Sequence, residues 1–176
     1  MEFRMQRAWA MPNKNTFSIP PIRHLIAGYL TEYGGQWLDP FARQSPFNAF
    51  QNVLTNDLDP LAHTEFHFEA LDFLKQFEDG YADGVLFDPP YSPRQISECY
   101  KHVGRAVHTK DTQSSFYGDR KKEVARVCKS GAIVICCGWN SGGIGKHLGF
   151  QLEDVLLVAH GGAHNDTIVT VERKTA

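Results

Sequence analysis

Along the chain, short apolar runs of strand length alternate with stretches whose apolar positions recur at helical spacing. Ile22 to Leu30 follows Pro20-Pro21. Proline in a first helical turn loses no hydrogen bond, so this run predicts a helix, which Gly34-Gly35 ends. Gln36 to Asp39 and Val53 to Asn56 predict two short strands, Glu65 to Glu69 a third, and Leu71 to Phe77 a brief amphipathic helix. Gly84-Val85-Leu86-Phe87 is continuously apolar, the mark of a strand buried on both faces.

Ser92-Pro93-Arg94-Gln95 then opens a helix on two agreeing signals, proline at the first helical position and a Ser-x-x-Gln capping box. That helix is expected to end near Gly104, and a second to span Asp119 to Lys129 before Gly131. Ala132 to Cys137 predicts a central strand, Val155 to Ala159 another, and Ile168 to Glu172 an edge-like last one. Seven strands separated mostly by helical segments predict an α/β fold with a largely parallel sheet. The final pair, joined by Gly161-Gly162, suits an antiparallel hairpin.

Composition adds bounds. The 176 residues are 42% hydrophobic and 22% charged, which suits one globular domain across 1–176 with a core that needs no staples. No apolar run approaches membrane-spanning length, and Arg4 and Arg7 have no apolar stretch behind them to make a secretory signal. The four cysteines, Cys99, Cys128, Cys136 and Cys137, have neither disulfide nor zinc spacing, so a cytoplasmic protein is expected.

The formal net charge of −2 conceals an asymmetry. Residues 94–129 carry nine Lys or Arg against four acids, net +5, while the other 140 residues are −7. A basic stretch directly after the chain's most chemical motif suits a polyanionic partner.

That motif is Val85-Leu86-Phe87-Asp88-Pro89-Pro90-Tyr91. Two prolines after a buried strand remove two backbone donors and leave only carbonyl acceptors beside the Asp88 carboxylate. Such a site accepts hydrogen bonds from an NH₂ group on a planar ring, and Tyr91 offers a face for that ring to stack on. Asp39, Asp57 and Asp72, like Asp88, sit just past predicted strands, and acids at the carboxyl ends of a parallel sheet face one crevice. Asp57 lies 18 residues after Asp39, near the spacing of a ribose-binding acid that accepts from vicinal hydroxyls.

Asp88-Pro89-Pro90-Tyr91 resembles the signature of S-adenosylmethionine-dependent amino-methyltransferases, above all N6-adenine DNA methyltransferases of small phage or prophage type. The resemblance runs from about Asn15 to Lys174. Trp37-Leu38-Asp39-Pro40-Phe41-Ala42 is similar to the first cofactor motif, and Thr55-Asn56-Asp57-Leu58 to the ribose-binding acid at the second strand. Ala70-Leu71-Asp72-Phe73-Leu74 resembles the motif whose aspartate receives the cofactor's adenine amine, and Lys14-Asn15-Thr16-Phe17 an N-terminal cofactor-contacting segment. In the first motif the turn reads Ala42-Arg43-Gln44-Ser45, without the glycine that normally lets the backbone approach the cofactor.

The resemblance implies a Rossmann-like class I methyltransferase fold, S-adenosylmethionine as cofactor, and DNA as partner, with RNA as the alternative. It implies Asp88, Pro89, Pro90 and Tyr91 as catalytic. Phe17, Asp39, Pro40, Phe41, Ala42, Asp57, Leu58, Asp72 and Phe73 join Asp88 as cofactor contacts. The loop from Gln113 to Lys122 mixes aromatics, hydroxyls and cations, so Tyr117, Arg120, Lys121 and Lys122, with Tyr91, Ser92 and Arg94, form the expected substrate-facing set.

Other chemistries have weaker support. Cytosine C5 methylation needs a cysteine nucleophile in a Pro-Cys context, which none of the four has. His63/His67 straddles a predicted strand, where four residues span ~13 Å, too far for one metal. His160/His164 lies in a Gly-Gly loop, and Gly138 to Lys146 departs from the phosphate-loop pattern because His147 follows the lysine. Neither metal nor membrane is therefore expected, and a monomer or homodimer is. A protein-glutamine methyltransferase and an inactive binding module remain as further readings. With the whole length assigned to one fold, no separate target-recognition domain is expected.

Overall fold

A computed structural model describes residues 3–175. One sheet of seven strands runs through it: β1 (Arg4–Trp9), β2 (Trp37–Asp39), β3 (Val53–Thr55), β4 (Ala82–Phe87), β5 (Cys128–Gly138), β6 (Phe150–Ala159) and β7 (Thr167–Lys174). The strand order is β1-β6-β7-β5-β4-β2-β3, and only β7 runs antiparallel to its neighbours. Four α-helices accompany it: α1 (Pro20–Tyr33), α2 (Ala70–Leu74), α3 (Pro93–His102) and α4 (Ser114–Val127).

Side chains alternate between two cores because successive strand residues point to opposite faces. Leu86, Ile133, Ile135, Cys137, Leu156, Val158, Val169 and Val171 pack with Ile22, Ile26 and Leu30 of α1. Val85, Phe87, Val134 and Cys136 pack on the other side with Phe73 and Leu74 of α2 and Val124 and Val127 of α4. β2 to β3 builds the sheet toward one edge and β4 to β5 toward the other. The direction of winding reverses between β2 and β4, and a crevice opens outside their carboxyl ends.

The mostly parallel seven-stranded sheet and its antiparallel C-terminal pair agree with the sequence pattern, but one strand is exchanged, and β7, expected at an edge, lies between β6 and β5. Glu65 to Glu69 is no strand and makes a single parallel bridge, Phe66 to Asn56. The Asn56 side chain explains this: its Oδ1 accepts from Phe68 N at 2.8 Å and its Nδ2 donates to Phe68 O at 3.0 Å, taking groups a ladder would use. The seventh strand is instead β1, whose Arg-Met-Gln-Arg-Ala-Trp has no apolar alternation and is largely exposed at the edge. It is pinned beside β6, where Arg4 Nε donates to Asp154 Oδ2 at 2.9 Å.

Both ends of α4 also shift, and the β2–β3 connection is irregular. No helix connects β2 to β3; residues 40–52 are turns. α4 begins at Ser114, five residues before the expected start, and ends at Val127 where Cys128 turns extended. Gly131 therefore lies inside β5, at φ +83 beside the irregular register with β4.

The β2–β4 contact leaves no room at Gly84, where a Cβ would lie 2.4 Å from the fully buried Trp37 ring. We expect Gly84→Ala to lower unfolding free energy by about 1–3 kcal/mol in urea titrations. Gly138→Ala, whose Cβ would meet nothing nearer than 3.8 Å, is the control expected to cost less.

Candidate active site

A cleft of about 950 Å³ opens at the carboxyl ends of β2, β3 and β4. It is walled by residues 12–16, by the loop after β3, by α3 and by the loop after β6. Pro40, Phe41, Asp57, Leu58, Asp88, Pro89, Pro90 and Tyr91 all line it, so the two motifs that carry most of the expected chemistry meet there.

Asp88 follows the last residue of β4, and the two prolines leave the ladder without donors beyond it. The Tyr91 hydroxyl donates to Asp88 Oδ1 and lies 3.3 Å from Thr16 Oγ1. Burial pushes the Asp88 carboxyl above its ordinary range, against the pull of those hydroxyls. α3 and α4 brace the run: Tyr91 N donates to Gln95 Oε1 at 2.6 Å, and the Tyr117 hydroxyl donates to Pro90 O at 2.8 Å. Ser92 caps α3, accepting from Gln95 N, while the Gln95 side chain reaches Tyr91 in a variant of the capping box. The Tyr91 ring meets Trp139 edge to face, 5.6 Å between centroids.

Asp39 is fully buried at the end of β2. Its Oδ1 accepts from Phe41 N at 3.2 Å and its Oδ2 has no partner among the described residues. Burial, reinforced by the charges of Asp88 and Asp57, holds its carboxyl well above the usual range. Asp57 accepts from Arg43 N at 3.0 Å and from Asp59 N at 2.9 Å, and burial raises its carboxyl too. Arg43 sits at φ +49, the left-handed region that favours glycine.

Several expected site residues lie elsewhere. Phe17 and Phe73 are core side chains, and Ala42 is buried with its N–H donated to Asn56 O. Asp72 is exposed on the first turn of α2, outside the lining; Glu69 and Ala70 face the cleft in its place. The short α2 turns Asp72 outward because Phe73 and Leu74 must face the sheet. Trp139 and Gln95 also line the cleft, and neither carried a sequence signal beyond its place after a strand or in a helix's first turn.

Among the described residues, five of the nine cations of the basic segment are ion-paired, three of them with acids outside it. Arg120 is not a substrate-facing cation: it is buried, paired with Glu69, stacked 3.4 Å from the Phe116 ring centroid and donating to Phe116 O at 2.7 Å. Arg126 pairs with Asp79 and Glu123, Lys129 with Asp83, Arg94 with Glu98 and Lys122 with Asp119. Lys121 is half-buried; Lys101, Arg105 and Lys110 are exposed and have no ion pair among the described residues. Buried Cys128 has its thiol pushed up to about 12, and no group of three His, Cys, Asp or Glu is placed to hold a metal among the described residues. No helix there is long and apolar enough to cross a membrane.

This architecture is the Rossmann-like class I methyltransferase fold. The N-methyltransferase NodS from Bradyrhizobium japonicum matches with a TM-score of 0.61 at 8% identity, covering 94% of this chain and 100% of its own. The 1,6-didemethyltoxoflavin-N1-methyltransferase of Burkholderia thailandensis, solved with S-adenosylhomocysteine, matches with a TM-score of 0.57 at 14% identity, over 88% of this chain and 78% of its own. TrmN from Thermus thermophilus matches with a TM-score of 0.56 at 19% identity; 89% of this chain aligns, spanning about half (49%) of TrmN. At these identities the likeness is one of fold. No protein-family model and no curated protein sequence matches the chain.

Removing one partner of a buried ion pair strands the other charge. Arg120→Ala is therefore expected to cost about 3–5 kcal/mol in denaturant titrations, whereas Arg94→Ala, which removes a solvent-exposed pair, is expected to leave the unfolding midpoint essentially unchanged.

Proposed function

We propose that this chain transfers a methyl group from S-adenosylmethionine to the exocyclic N6 amine of adenine in DNA. The observation that carries the reading is the Asp88-Pro89-Pro90-Tyr91 run at the carboxyl end of β4, lining the same cleft as Asp57, Pro40 and Phe41.

The cleft fits that cofactor by charge. Its sulfonium and α-ammonium are cations, and the Asp57 and Asp88 carboxyls line the cleft, with Asp39 fully buried outside the lining but within electrostatic reach of both. Asp39 Oδ2, buried without a partner among the described residues, leaves acceptor capacity unused next to the cleft-lining Pro40. Asp57 would accept from the ribose hydroxyls, and Pro40, Phe41 and Leu58 would supply apolar walls. When bound, the cofactor supplies an electrophilic methyl on positively charged sulfur.

The chain's own groups orient the amine. A flipped-out adenine donates its N6 hydrogens to the Asp88 carboxylate and the Pro89 carbonyl, which aims the nitrogen lone pair into the cleft. Negative charge at Asp88 stabilises the ammonium that develops and receives the proton it sheds. Tyr91 and Trp139 offer the stacking faces, and Tyr91 holds Asp88 through its hydroxyl in the free protein. The exposed cations Lys101, Arg105 and Lys110 lie nearest to a role on the phosphate backbone, in place of the expected Arg120.

The test is transfer of labelled methyl to duplex DNA, single-stranded DNA and RNA. Label in DNA adenine supports the reading; label confined to RNA, or absent from all three, overturns it. Asp88→Asn is expected to lower kcat about 10²–10³-fold.

The pH dependence follows from the direction of the Asp88 shift. The acceptor must be ionised, and its carboxyl titrates above the ordinary range, so kcat/KM falls on the acid side at a pH above that range. A raised folded-state value contributes stability below the unfolded value and loses it as pH rises through the folded one. Ionised Asp88 is thus a cost at neutral pH, and Asp88→Asn is expected to melt no lower than wild type at pH 7.

A further inference from the structure

We propose that Arg43 replaces the missing glycine of the first cofactor motif as the residue that grips the carboxylate of the cofactor's amino-acid end. The inference rests on the S-adenosylmethionine reading above.

Arg43 is the one non-glycine residue with positive φ among the described residues. A side chain in that region carries strain that glycine would avoid, and strained backbone persists where its surroundings over-determine it. Here the determining contact is visible: Arg43 N donates to Asp57 Oδ2, which fixes the turn. The strain is a cost to the fold, and the side chain it carries into the cleft is the compensation.

The guanidinium is only partly engaged. Nη1 donates to Lys14 O at 3.3 Å, while Nε and Nη2 make no hydrogen bond among the described residues. Arg43 lines the cleft with Asp57 and Asp88, and its charge is felt at Asp57, Asp88 and Cys99. A zwitterionic amino-acid end needs both signs. Asp57 and Asp88, the aspartates beside Arg43 in the lining, serve its cations, whereas its carboxylate would be repelled by them unless a cation stood close. Arg43 and Lys14 are the lysine or arginine residues of the lining, and the planar guanidinium suits a carboxylate by paired N–H donors. A glycine turn brings backbone to the cofactor; this turn brings charge.

The test uses two ligands in calorimetry. S-Adenosylhomocysteine carries the carboxylate, and 5′-methylthioadenosine has the same adenosine and thioether without the amino-acid end. Arg43→Gly removes the guanidinium and suits the left-handed backbone, so the variant is expected to fold and to melt no lower than wild type. It is expected to bind S-adenosylhomocysteine about 10–100-fold more weakly and methylthioadenosine within about twofold of wild type. Unchanged binding of S-adenosylhomocysteine overturns the assignment. So does an equal loss for both ligands, which would make Arg43 a shaper of the turn. Wild-type protein that binds neither nucleoside overturns the cofactor reading itself, and the Arg43 assignment falls with it.

Discussion

Three carboxyls crowd the ends of adjacent parallel strands, and the local structure of this protein answers to that constraint. Asp39, Asp57 and Asp88 are each raised in pKa by burial, and Asp39 is raised further by the other two. Such a cluster opposes folding unless donors reach it. Those donors are the backbone N–H groups of Phe41, Arg43 and Asp59 and the Tyr91 hydroxyl. Meeting Asp57 in this way fixes the turn after β2 and places Arg43 in a conformation that its side chain disfavours. Burial of three carboxyls with few donors thus accounts together for the left-handed turn, the orphaned Asp39 oxygen and the hydroxyl folded onto Asp88.

Charge outside the cleft serves a different purpose from the one its abundance suggests. Arg120 ties α4 to Glu69 at the start of α2, Arg126 donates to the carbonyls of Leu74 at the end of α2 and Phe77 beyond it, and Lys129 meets Asp83 on β4. Cations of the basic segment therefore tie α4 to α2 and β5 to β4, and consume acids of the rest of the chain. What remains outward lies mainly between the end of α3 and the turn before α4. The +5 segment is mortar first, and its surface charge is smaller than its sequence.

Legibility followed the physics of each element. β4 and β5 were readable because a strand buried on both faces must be continuously apolar, and prolines after β4 mark its end in the sequence itself. β1 was not, because an exposed edge strand tolerates charge and carries no alternation. The expected strand at Glu65 to Glu69 failed through a single side chain, Asn56, whose amide outcompetes the ladder. In the site, Asp57 and Asp88 were legible as acids after strands, whereas Asp72 looked equivalent and faces outward because α2 is only five residues long. The absent glycine was visible as a gap in a pattern; that Arg43 occupies the left-handed position was not, since composition carries no φ.

The central claim is that the acceptor-only end of β4 presents an exocyclic amine for methylation. Its most direct test is mass spectrometry of nucleosides digested from DNA that has been incubated with the protein and S-adenosylmethionine. Wild-type protein is expected to yield N6-methyl-2′-deoxyadenosine and Asp88→Asn none above background. A methyl group on another base, or equal adenine methylation by both proteins, would contradict it.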